Sequence, residues 1–195
     1  MGYKKVLTFL LGIGLMFWGA SPVAGAGRMA PDEEHTEEPA ALESNAGTVE
    51  TGIELGMIAP DISFTDLDGN MHNLSDYRDK AVMLNFGANW CSACRYEKPF
   101  MQEIYDAYKE QGFVILSVYV QVDKPTVEDY VVEHGYTFPA FMDLEETAFP
   151  KYNKIGGIPQ TYLINREGKI INFIAGARNW ASPENRSLIT NLLED

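Results

Sequence analysis

The only two cysteines of this 195-residue chain lie three apart, in Trp90-Cys91-Ser92-Ala93-Cys94. A strand-like run, Ala81-Val82-Met83-Leu84-Asn85-Phe86, leads into them, and a helix-like run from Arg95 to Gln111 leads away. On the first turn of a helix, residues i and i+3 share one face, so the two sulfurs can close a small disulfide ring. The first cysteine then stands at the helix N-terminus. Orphan backbone N–H groups and the positive end of the dipole favour thiolate over thiol there. The thiolate is the nucleophile of disulfide exchange, so one position supplies both placement and activation.

Two other uses of such a pair have to be weighed. A structural bridge usually closes a longer loop, which constrains the unfolded chain more. Zinc needs about four ligands, and there is no second cysteine pair or His-x-His cluster; His35, His72 and His134 are scattered. Redox exchange is the use the motif favours, with no metal and no cofactor expected.

The elements that must hold the pair can be read from patterning. Ile62–Thr65 and Asn70–Leu74 flank the turn Asp66-Leu67-Asp68-Gly69 as a hairpin. Ala81–Phe86 and Phe113–Val120 are continuous apolar runs, as in buried central strands. Residues 95–111 carry Phe100, Ile104, Ala107 and Tyr108 at helical spacing, with Gly112 as the stop. Asp123-Lys124-Pro125 opens a helix that Gly135 ends, Phe138–Met142 is a short strand, and Glu145–Tyr152 is a helix that Pro150 ends or kinks. Tyr162–Ile164 and Ile170–Ala175 form a second hairpin. Ser182-Pro183-Glu184 opens a last helix with Leu188, Ile189, Leu192 and Leu193 as its stripe. Strand–helix alternation with closing hairpins predicts an α/β layered fold with a mixed sheet.

Several segments, in order over roughly residues 53–195, resemble the thioredoxin superfamily and its membrane-associated TlpA/ResA-like thiol–disulfide oxidoreductases. Ala59-Pro60-Asp61-Ile62-Ser63-Phe64 with Leu74-Ser75-Asp76-Tyr77 is similar to the opening hairpin. The stretch from Asn85 to Pro99 resembles the active-site segment, and Gly157-Ile158-Pro159-Gln160-Thr161 the Gly-x-Pro segment. The resemblance implies a thioredoxin-like fold: a mixed central sheet flanked by helices, an N-terminal hairpin, and a strand/helix insertion over Phe138–Tyr152. It departs from the family at Gly87, where Trp is common, at Asn85, where many thioredoxins carry a buried acid, and at Ser92-Ala93, which lacks the common Pro.

The residues then take expected roles. Cys91 attacks, being nearest the helix terminus, and Cys94 resolves the mixed disulfide. Glu97 shares the helical face of Cys94, and the resemblance implies that it exchanges the Cys94 proton. Trp90 shields the site. The resemblance implies a cis Pro159 lying against the disulfide, with the Ile158 backbone offered to an extended client. Arg95 and Lys98 add positive charge near the thiolate or form a solvated face.

Composition and the chain's beginning bear on where this happens. An apolar content of 46% suits a packed core. Met1–Lys5 is short and basic, Val6–Ala20 apolar or small, and Ser21–Ala26 ends in Ala-x-Ala, the order of an export signal. The apolar run, about 15 residues, is shorter than the roughly 20 of a spanning helix. Cleavage after Ala26 is therefore expected, with an uncleaved anchor over residues 6–20 as the alternative. Residues 27–52 carry Asp32-Glu33-Glu34 and Glu37-Glu38 and few apolar residues, and read as an acidic, disordered tether. The net charge of −13 argues against nucleic acid and anionic lipid surfaces.

The expected activity is exported thiol–disulfide exchange on client proteins. The resemblance implies reduction of client disulfides, supplied by a membrane-bound electron donor, with apocytochrome c in cytochrome c maturation a typical family client. A peroxiredoxin-like peroxidase would need Pro and Thr just upstream of the reactive cysteine, where Phe86-Gly87-Ala88-Asn89-Trp90 stands. A non-enzymatic copper or thiol chaperone would space its cysteines by four and add a His.

Overall fold

The computed structural model describes residues 50–195. The leader expected at residues 1–26 and most of the tether expected at 27–52 lie outside them. Glu50–Gly52 belong to the folded part: Ile58 N donates to Glu50 O at 2.9 Å, and Gly52 N donates to Ile58 O at 3.0 Å. Among the described residues no helix is long and apolar enough to cross a membrane.

Among the described residues seven strands make one mixed sheet: β1 Ser63–Asp66, β2 Met71–Asn73, β3 Ala81–Gly87, β4 Phe113–Tyr119, β5 Ala140–Met142, β6 Gln160–Ile164 and β7 Ile170–Ala175, ordered β2-β1-β5-β4-β3-β6-β7. The three central strands β5, β4 and β3 are parallel, and every other pairing is antiparallel. The helices are α1 Ser92–Tyr108, α2 Lys124–His134, α3 Ala148–Tyr152 and α4 Pro183–Glu194. β5, from the expected insertion, joins the opening hairpin to the central strands: it pairs with β1 on one side and β4 on the other.

The apolar runs of β3 and β4 are buried on both faces, as their unbroken patterning requires. Ala81, Met83 and Ile115 face a core with Met101 and Ile104 of α1 and Ile189 and Leu192 of α4. Val82, Leu84, Phe86, Leu116 and Val118 face a second core with Phe64, Phe141, Tyr152 and Tyr162. The period of two along each strand therefore decides what lies beneath α1.

Two element expectations change. Pro150 neither ends nor kinks its helix: α3 starts at Ala148, so Pro150 sits in the first turn, where a missing N–H costs no bond. α1 starts at Ser92 with Cys91 as its N-cap, as the cysteine spacing requires, but its α-helical part ends at Tyr108 and residues 109–111 form a 3-10 turn instead of continuing it.

Candidate active site

Cys91 is the N-cap of α1. Its backbone is extended (φ −84°, ψ 114°), and its sulfur accepts from Cys94 N at 3.1 Å. The two cysteines are joined as a disulfide with Cα atoms 5.2 Å apart. Cys91 is half-buried, and Cys94, one turn into the helix, is fully buried. The chain arrives from β3, whose last residue, Gly87, packs closely: a Cβ there would stand 3.5 Å from both Cβ and Sγ of Cys94.

The loop before β6 lies against the half-buried Cys91 sulfur. The Ile158–Pro159 peptide is cis, and Ile158 O lies 4.0 Å from Cys91 Sγ. A half-cystine has no S–H to donate, so this is a packing contact. The loop is held from both sides. Gly176 N donates to Pro159 O at 3.0 Å. Buried Gln160 donates to Asn153 Oδ1 at 2.9 Å and Gly157 O at 2.6 Å, and accepts from Lys154 N at 3.0 Å. Trp90 is 56% exposed, so it is not part of the core; Tyr96 is exposed to the same degree.

Beneath α1 lies a polar row. β3 pairs with β4 and β6 in a register that sets Asn85 directly opposite Ser117 on one side and Thr161 on the other. All three are fully buried, and so are Glu97 and Lys98 on the face of α1 above them. Asn85 Nδ2 donates to Glu97 Oε1 at 2.8 Å and to Thr161 Oγ1 at 2.9 Å. Lys98 Nζ donates to Asn85 Oδ1 at 3.0 Å and to Ser117 Oγ at 2.5 Å. Glu97 Oε2 accepts from Trp180 Nε1 at 3.1 Å and from Arg178 N at 3.4 Å. Burial pushes the Glu97 carboxyl above its ordinary range, opposed by the Lys98 ammonium and by these N–H donors. Burial lowers Lys98 to about 8, opposed by Glu97.

The structure thus brings Cys91, Cys94, Glu97, Ile158 and Pro159 to one end of the sheet. Arg95 is exposed and Lys98 is not, so Lys98 is no part of a solvated face. Ser117 and Trp180 were not anticipated as parts of the site, and Asn85 and Thr161 were singled out only through the segments that carry the resemblance, with no role of their own. Asn85 and Ser117 carried a signal: each is a lone polar residue inside an otherwise apolar strand. Trp180 follows β7 and carried none. A half-buried sulfur at a helix N-terminus, with a buried sulfur behind it and a buried carboxyl one turn further along the helix, can run two-electron dithiol–disulfide chemistry.

Residues 55–173 match the AhpC/TSA family. The chain is 42% identical over 133 residues to the thiol-disulfide oxidoreductase ResA of Geobacillus kaustophilus, covering 68% of this chain and 76% of that one. It is 35% identical over 124 residues to ResA of Bacillus subtilis, covering 64% and 69%. A solved thiol:disulfide interchange protein of the thioredoxin family from Chlorobium tepidum superposes with a TM-score of 0.61 at 30% identity, over 70% of this chain and 95% of that one. The fold, the helix-capping cysteine pair and these likenesses agree: the chain belongs to the thioredoxin-like AhpC/TSA family and, beside the ResA proteins, is a thiol–disulfide oxidoreductase.

Proposed function

We propose that this enzyme is exported and reduces disulfides of client proteins through the Cys91/Cys94 dithiol. The observation that carries the reading is the pairing of an N-cap sulfur with a deeper, buried partner beside the Ile158–Pro159 loop. Cys91 thiolate attacks one client sulfur, and the other client sulfur leaves as a thiolate and takes a proton. Cys94 then attacks Cys91 Sγ, releasing the second client sulfur and closing the Cys91–Cys94 disulfide. The Cys94 proton passes to Glu97. Two electrons move to the client, and a membrane-bound dithiol donor returns two to the enzyme. Trp90, Ile158 and Pro159 line the client's approach.

Export rests on the order of Met1–Lys5, Val6–Ala20 and Ser21–Ala26, with residues 27 to about 49 as the acidic tether. The membrane enters only through residues 6–20 if they are retained. In an oxidising compartment, a reductase of this type suits clients that must present free thiols, such as apocytochrome c awaiting haem in cytochrome c maturation.

The test has two arms. Cys94→Ala is expected to accumulate mixed disulfides with clients, and Cys91→Ala is not; the reverse pattern would exchange the two roles. The potential of the Cys91–Cys94 couple is expected near or below about −270 mV, where thioredoxin stands, and a value near −120 mV would make the enzyme an oxidant.

A further inference from the structure

Lys98 is the least expected residue on the buried face of α1. It is 1% exposed, and among the described residues no carboxylate lies within ion-pairing distance of its Nζ. A buried ammonium without a direct counter-ion is costly and needs every donor placed. Two N–H groups go to Asn85 Oδ1 and Ser117 Oγ. The rings of Tyr119, 5.0 Å away, and Phe138, 5.5 Å away, take the remaining side.

That arrangement fixes Asn85. An ammonium has only donors, so the amide oxygen must face it and the NH2 must turn the other way, to Glu97 and Thr161. The Glu97 carboxylate offers about four lone-pair sites. Oε2 uses two, for Trp180 and Arg178, and Oε1 uses one, for Asn85. The remaining site, on Oε1, is where a proton can be received. The donor on that same oxygen is the one Lys98 orients.

We propose that Lys98 is a positioning residue of the redox site, which acts through Asn85 and its own charge to hold Glu97 ionised and ready to receive the Cys94 proton. The proposal rests on the reading of Glu97 as the proton acceptor. The titratable groups facing Lys98 are Glu97 on its own helix and Tyr119 on β4. Burial, with Tyr130 and Tyr136 behind it, keeps the Tyr119 hydroxyl protonated at neutral pH. Glu97 faces Lys98 as its charged neighbour, with neutral Asn85, Trp180 and the Arg178 backbone as donors.

The test uses Lys98→Met, which keeps the stem and removes the ammonium, and Lys98→Gln as a second variant should the first not fold. Two quantities are followed against pH. One is the carboxyl carbon-13 shift of Glu97. The other is the rate at which Cys94 expels thionitrobenzoate from a mixed disulfide at Cys91. In that step Cys94 sulfur bonds Cys91 sulfur, thionitrobenzoate leaves as the thiolate, and the Cys94 proton goes to Glu97. Both midpoints are expected to rise together, by about a pH unit, a tenfold gain in proton affinity. If neither moves, Lys98 does not act on Glu97 and the proposal is overturned. If the rate profile alone moves, Lys98 acts by another route and the proposal is again overturned. If the Glu97 titration alone moves, the coupling exists but Glu97 does not serve Cys94, and that reading falls together with the proposal.

Discussion

Cys91 and Cys94 are chemically identical side chains made unlike by one turn of helix. Cys91 caps α1, where the free N–H groups stabilise a thiolate, and Cys94 is enclosed. In the reduced enzyme, iodoacetamide at pH 7 is expected to modify Cys91 at least about tenfold faster than Cys94. Mass spectrometry of quenched samples reads this, and equal rates at all pH values would exclude Cys91 as the attacking group. Glu97 also has a defined signature. Both its oxygens face N–H donors, and Lys98 prevents Asn85 from flipping. Glu97→Gln therefore sets an NH2 group against Asn85 Nδ2 or against Trp180 Nε1. The expected loss is about 1–3 kcal/mol of stability by urea unfolding. A midpoint equal to wild type would mean that the carboxyl is not held by both donors.

Elements position these groups through their own ends. α2 starts on Asp123, whose carboxylate accepts from Thr126 N at 2.9 Å, and ends on Gly135 in the left-handed region (φ 65°). Both ends follow from residue type alone. α3 is different, because its cap lies outside the local pattern. Asp143, just after β5, accepts from Thr147 N and Ala148 N at 3.0 Å and from Phe149 N at 2.8 Å. This return of the loop moves the helix start from the expected Glu145 to Ala148. Asp143→Ala is expected to destabilise the fold by about 2 kcal/mol and to speed amide exchange at Thr147–Phe149. Unchanged exchange there would show that α3 stands without its cap. The buried face of α1 was legible only in part. Positions 94, 97, 98, 101 and 104 follow helical spacing, but two are charged, and charge at such positions usually means solvent.

Stability belongs to the whole molecule, and Lys98 writes a pH dependence into it. Its affinity is ordinary in the unfolded chain, at 10.5, and lowered to about 8 by burial in the fold. Between these values the unfolded chain binds more protons, so stability rises with pH across that window. The rise is on the order of 3 kcal/mol, and Lys98→Met is expected to abolish it. Urea midpoints from pH 7 to about 10 compare the two proteins. Parallel curves would mean that Lys98 is not buried as a cation. Above that range the buried tyrosines, raised by desolvation, oppose the trend. A second expectation concerns autonomy. Both cores draw on residues between Ile53 and Leu193, and the described residues 50–195 lie in one compact unit. The 50–195 fragment is expected to unfold cooperatively with the melting temperature and disulfide-exchange rate of the full chain. A broad or lowered melt would show that earlier residues contribute to the domain.

By itself the sequence determined what is written within a few residues of itself. The cysteine spacing, the Asp123 and Ser182 caps, the Gly112 and Gly135 stops, the apolar runs of β3 and β4 and the hairpins all depend on local chemistry. Together with the ordered resemblance they were enough to read a thioredoxin-like redox enzyme. Tertiary structure decided how the site is completed. Glu97 meets Trp180 across 83 residues and Asn85 meets Thr161 across 76. Neither meeting has a local signature. They exist because strand register sets Ser117, Asn85 and Thr161 abreast, and because α1 lays Glu97 and Lys98 over that row. Register and helix placement are settled by packing the two cores, and only that packing turns a surface-looking Glu-Lys pair into a buried, hydrogen-bonded one.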